Sequence, residues 1–272
     1  MWMPLLALMA CAPESVDDAL ALECDGEGPS RTLLIQQIRF VRQTDGVSEG
    51  FDLDGQTDTC DVDDYVSPEG TESVDNAFAA LLPALELTEA RTMEDIIADS
   101  IRSGRLLLLI DLDDLDQDAD DACVDVTLQR GSGVPMLGND GEVLPGQTFD
   151  LDLDVPPSRV ESATLSNHRV TASPLELTLP IQIFEYEFDF SLSDAVLQVT
   201  MEEDGRMHGL LAGGLSIQSV LDVASNPDVD PSLLPLIEGL LPLFADLEPD
   251  ANGECQKLSM TFEFEAIDAF RF

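Results

Sequence analysis

The sequence predicts a β-rich protein of the α+β class: an antiparallel β-sandwich or flattened barrel with helical insertions near 73–104 and 214–246. Three observations carry this. Stretches such as "CVDVTLQR", "FDLDLDV" and "KLSMTFEFEA" alternate apolar and polar residues at period two. Helical spacing is confined to a few short segments. The 272 residues are 44% apolar, enough for one large core or two modest ones, and show no short internal repeat, so residues 31–272 read as a single domain.

In chain order, "TLLIQQIRFVRQ" (32–43) reads as the first strand, and "GFDLDG" (50–55) puts Phe51 and Leu53 opposite Asp52 and Asp54. Two helices follow. In 73–86, Val74, Phe78, Leu81, Leu82 and Leu85 share a face, with Ser73 as cap, Asp75 near the positive end and Pro83 as a kink or stop. In 92–104, Thr92 caps and Gly104 stops. "RLLLLIDL" (105–112) fits a strand buried on both faces. Val124, Val126 and Leu128 point inward from the next strand. Asp150, Asp152 and Asp154 point outward from "FDLDLDV". "LELTLPIQIFEYEFDF" changes phase after Ile183, which predicts a bulge or a bend between sheets. A hairpin is expected at Asp204-Gly205. In 230–248, Pro235, Gly239 and Pro242 predict a broken helix plugging the core.

The net charge is −43, from 55 acids against 12 bases, of which Lys257 is the one lysine. Such a surface repels phosphate backbones and argues against nucleic-acid binding. Residues 1–11, "MWMPLLALMAC", read as a signal peptide. Its "LMAC" end resembles a bacterial lipobox, which implies acylation of Cys11. Met9 and the lack of a basic residue before the apolar stretch depart from that pattern. Residues 12–30 would then be a flexible tether. Cys24, Cys60, Cys123 and Cys255 suit two disulfides of an exported protein, in any of three pairings.

Calcium takes six to eight oxygen ligands, largely carboxylates and carbonyls. Three acidic stretches offer them. Asp116, Asp118 and Asp120 alternate in "DLDDLDQDADD", but the glycine and glutamate of an EF-type loop are missing. Asp52 and Asp54 open a second. Glu248, Asp250 and Asn252, followed by Gly253, resemble the first half of dockerin-like and EF-type loops, although Ser259 holds the glutamate place. Each stretch carries its own cysteine, so a disulfide between two of them would set two acidic loops side by side.

No GxSxG, HExxH or Walker loop is present, and the histidines are His168 and His208 alone. "GFDLDG", "CDVDDYVSPEGTESVDNAFAALLP", "SGRLLLLIDL", "DGRMHGLLAGGLSI" and "CQKLSMTFEFEAIDA", in this order, resemble a group of secreted lipoproteins of myxobacterial type, across roughly residues 32–270. The resemblance implies export and one long domain; that group brings no catalytic residue. The expected function is therefore that of an acidic, non-enzymatic envelope protein. It would be lipid-anchored at the outer membrane or cell surface, stabilised by Ca2+, and would bind or scaffold a protein or lipid partner. Two rival readings are a carrier of a hydrophobic ligand and a secreted hydrolase using paired carboxylates.

Overall fold

The computed structural model describes residues 28–87, 92–115, 120–183, 186–202, 205–225 and 233–272. Its elements are β1 (Arg31–Phe40), α1 (Phe78–Leu85), α2 (Met93–Arg102), β2 (Leu107–Asp113), β3 (Asp121–Ser132), β4 (Gln147–Leu151) and β5 (Ser158–Ser166). There follow β6 (Arg169–Ile183), β7 (Tyr186–Met201), β8 (Met207–Ser216), α3 (Ile217–Ala224), α4 (Leu233–Phe244), β9 (Leu247–Pro249) and β10 (Cys255–Arg271). Strand accounts for 48% and helix for 19%, so the β-rich expectation holds. The sandwich does not. β1, β2, β3, β5, β6, β7, β8 and β10 pair antiparallel in that order, and β10 returns to β1, which closes an eight-stranded barrel. Closure removes the open edges that a sandwich would leave.

The period-two pattern becomes two sides of one wall. Val170, Val199, Gly209, Phe264 and Ile38 lie opposite one another across β6, β7, β8, β10 and β1. The next inward rung is Ala172, Leu197, Leu211, Phe262 and Phe40. All ten residues are buried, and the larger ones join one continuous core. A side chain at Gly209 would strike the Phe264 ring, so the glycine lets that ring lie across the wall. Between these rungs, the outward positions are Arg169, Thr200, His208, Glu265 and Gln37, then Thr171, Gln198, Leu210, Glu263 and Arg39. That outward face is polar and charged, the reverse of the apolar band of a lipid-facing barrel. Among the described residues, no helix is long and apolar enough to cross a membrane.

The expectation that β2 is buried on both faces is met: Leu107 through Leu112 are all buried. Leu33, Ile110 and Leu112 are on one face, and Leu34, Leu107 and Leu109 on the other. The second face is enclosed because β4 pairs with both β3 and the end of β10, making a smaller ring with β1 and β2. Asp111, buried there, accepts from Thr32 Oγ1 at 2.5 Å and from Gln129, and pairs with Arg271 at 3.0 Å. Of the "FDLDLDV" strand only the first part forms; β4 ends at Leu151, before Asp152 and Asp154.

Helix α2 packs on both β1 and β6, strands that are not neighbours, so it lies across one mouth of the barrel. Ile97 and Ile101 give its buried face, and Gly104 ends it at φ +79. Thr92 makes no side-chain cap there. The first helix starts later than the spacing predicts. Ser73 has φ +61 and Val74 bridges Tyr65, so α1 begins at Phe78. Helix α4 runs unbroken from Leu233 to Phe244 through Pro242, so the expected break is absent; it packs Ile237, Leu240, Leu241 and Phe244 against the core while Leu243 on its other side is 69% exposed. The phase change after Ile183 is a hairpin: Ile183 pairs with Tyr186. Gly205, at φ +86, serves the β7–β8 hairpin as expected, while Asp204 lies outside the described residues.

Candidate cation site and an adjoining groove

The chain leaves the barrel after β1 and runs over the outer face of β10 before returning at α1. "GFDLDG" is therefore not a strand but part of this covering segment, fixed by an isolated bridge from Phe51 to Asp75. Val41 N–H donates to Thr261 O at 3.0 Å, and Asn76 Oδ1 accepts the Thr261 N–H at 3.1 Å. Asn76 Nδ2 donates to Ser48 Oγ at 2.9 Å, and Ala77 N–H to Ser259 Oγ at 2.7 Å. Asp246 accepts from the Ser259 N–H at 2.7 Å and from its hydroxyl. This buried polar network accounts for Ser259 on an outward face that otherwise carries Lys257, Glu263 and Glu265; Thr261 joins it through its backbone, and its buried hydroxyl has no hydrogen-bond partner among the described residues.

At the edge of the covering segment, Asp52, Asp54 and Asp75 each place a carboxylate oxygen within 4.8 Å of the others. A calcium ion holds its oxygens at about 2.4 Å, so atoms around one ion stand no further apart than about twice that. The three fit one coordination sphere. Asp75 is 2% exposed and accepts the Leu53 N–H at 2.5 Å. Burial, with the charges of Asp246, Asp54 and Asp64 adding to it, pushes its pKa to about 8. Asp54 accepts from Gln56 N–H at 2.8 Å and Thr59 Oγ1 at 2.6 Å, and Asp52 from Gly55 N–H at 2.6 Å. Asp58 and Asp64 accept each other's backbone N–H. Burial also raises the Asp64 carboxyl, and it pushes Asp246 to about 6. Such a group could hold a metal ion.

Among the described residues, the other expected ligands are not assembled. Asp250 accepts the N–H groups of Asn252 at 2.7 Å and Glu254 at 3.0 Å, and these bonds hold its carboxyl below the usual range. Asn252 Nδ2 also turns to Asp250, and Glu248 pairs with Lys257. Asp120 accepts the Asn167 N–H at 3.0 Å. Asp116, Asp118, Cys11 and Cys24 lie outside the described residues. Cys60 and Cys255 form a disulfide, Cα atoms 6.1 Å apart, which joins two of the three acidic stretches as the cysteine placement suggested. Cys123 is disulfide-bonded too. His168 stands exposed at φ +62 in the β5–β6 turn, and His208 lies on the outward face of β8.

Asp75 was legible only as an acid near a helix start. What brings it beside Asp52 and Asp54 is the long-range fold of the covering segment. Beside the cluster, and sharing Asp52 with it, a groove of about 520 Å³ runs between that segment and the outer wall of β1, β10, β8, β7 and β6. Comparison with known proteins adds no relative: no family model, curated protein or solved structure matches the chain.

Proposed function

We propose that this chain is an exported, non-enzymatic binding or scaffolding protein of the cell envelope, lipid-anchored through Cys11 and stabilised by calcium at Asp52, Asp54 and Asp75. The observation that carries the cation is the convergence of three carboxylates, one of them buried with a pKa near 8. Export is supported by the two disulfide-bonded sites and the resemblance to secreted lipoproteins. The barrel interior is packed with its own Leu, Val, Met and Phe side chains, which weighs against the carrier reading. Calcium is favoured over magnesium because three carboxylates converge, whereas magnesium usually takes one or two and keeps several of its waters.

The test is a thermal melt of the purified chain in EDTA, calcium and magnesium at matched ionic strength. Calcium at about a hundred times its dissociation constant adds about 2.7 kcal/mol, or roughly 5–10 °C for a domain of this size. Equal rises in both ions would mean charge screening and would remove the site. The anchor is tested separately by fatty-acid labelling in the native host, which Cys11→Ala abolishes.

A further inference from the structure

The groove beside the cluster is a second feature with its own chemistry. Its floor is the outward rungs of the barrel wall, including Gln37, Thr200, His208 and Glu265. Its roof is the covering segment, with Glu49, Phe51 and Glu69. A volume of about 520 Å³ lies in the range of small-ligand sites. The roof is held by the Asn76 network and the Cys60–Cys255 disulfide, so the groove is built without any ion.

Charge sets the class of ligand. The lining brings together Glu49, Glu69, Glu263 and Glu265 with two arginines, and both arginines are already engaged. Arg169 lies 3.8 Å from Glu69, and Arg39 lies 4.0 Å from Glu263. His208 faces Glu202 at 3.6 Å. Glu49 on the roof and Glu265 on the floor have neither an ion pair nor a side-chain hydrogen bond among the described residues. Phe51, Val74 and Leu210 add apolar surface to the same lining. Two carboxylates without an ion pair, one on the roof and one on the floor, together with apolar surface that includes an aromatic ring, match a cation carried on a hydrocarbon stem. Burial and the Glu69 charge raise the Glu49 carboxyl, and the Arg169 charge offsets only part of that rise.

We propose that this groove binds an organic cation bearing amine or guanidinium groups, supplied either as a free polyamine or as the lysine and arginine side chains of a basic peptide. The negative field of the whole chain would concentrate such ligands, and the groove would select them.

The experiment titrates the full chain, in EDTA at physiological ionic strength, with spermidine and with a lysine-rich peptide. A lysine-acetylated copy of the peptide is the control. The groove variant is Glu49→Gln with Glu265→Gln, two exposed isosteric changes. Its partner, Asp150→Asn with Asp154→Asn, removes the same charge from an exposed stretch outside the groove. Binding by either probe that weakens at least about tenfold in the groove variant, and not in the other, supports the site. Which probe binds more tightly identifies the source. Equal weakening in both variants would reduce the effect to a general field, and no binding by either probe would overturn the proposal. Because the titration is run without metal, it stands or falls independently of the calcium site.

Discussion

Cys60 lies in a loop where carboxylates converge, and Cys255 ends a loop where they turn apart. Both loops are acidic, and one disulfide joins them. In the first, Asp75 is buried beside Asp52 and Asp54, and its pKa rises to about 8. In the second, Asp250 is exposed, takes two backbone N–H groups, and its pKa falls. The contrast teaches that counting acids does not find a cation site. Carboxylates in both loops accept hydrogen bonds, so what matters is burial and crowding: Asp250 lies in water, whereas Asp75 is buried beside other acids and stores a cost that a cation would remove.

The largest expected effect follows from that stored cost. In the unfolded chain, Asp75 and Asp246 ionise near pH 4; in the fold they keep protons until about 8 and about 6. Between those limits the folded state binds more protons than the unfolded one. Stability therefore falls as pH rises from about 4 to about 8, by several kcal/mol in EDTA. Calcium takes the place of the proton, so its presence flattens the curve at the alkaline end. Asp75→Asn keeps an oxygen for the Leu53 N–H, removes most of the pH dependence and abolishes the calcium-specific rise. Denaturant unfolding across this range measures it, and a flat profile in EDTA would erase the difference between the loops.

Next in size is the staple. Cys60→Ser with Cys255→Ser releases a closure spanning 195 residues and costs about 5 kcal/mol in the chain-entropy account. The first loop organises its own ligands through Leu53, Gln56 and Thr59, so the calcium rise should survive in this variant, at lower affinity. Its complete loss would mean that the second loop contributes ligands after all.

The sequence carried the strands better than their closure. β2, β3 and β10 were legible because burial imposes a local pattern: apolar on both faces for β2, alternating for the others. Whether the sheet closes depends on β1 pairing with β10, residues more than two hundred positions apart, and no local pattern encodes that. Val74 was misread as helical because its spacing to Phe78 is right for a helix, while its bridge to Tyr65 is set by the covering segment. Asp52 and Asp54 were visible as a pair; Asp75 was not. A hint stood in β10 itself. Its outward positions change from Glu263 and Glu265 to Ser259 and Thr261, small polar residues suited to a strand face that another segment covers. The phase change after Ile183 was real, but a tight hairpin produces it as readily as a bulge does.

The smallest expected effect is the sharpest on the comparison. Asp250→Asn retains a side-chain oxygen that can still accept from Asn252 and Glu254, so the turn should persist with little change in melting temperature. The variant removes one negative charge from the loop, whereas Asp75→Asn replaces a carboxyl that, without metal, keeps its proton until about pH 8. If the cation is held by the first loop, Asp250→Asn leaves the calcium-specific rise intact while Asp75→Asn removes it. The reverse result would move the ion to the second loop. The half-motif of Glu248, Asp250 and Asn252 would then have to open against the hydrogen bonds that now close it. Equal partial losses would place the ion between the loops, where the disulfide brings them together, and would tie the staple and the cation into one device.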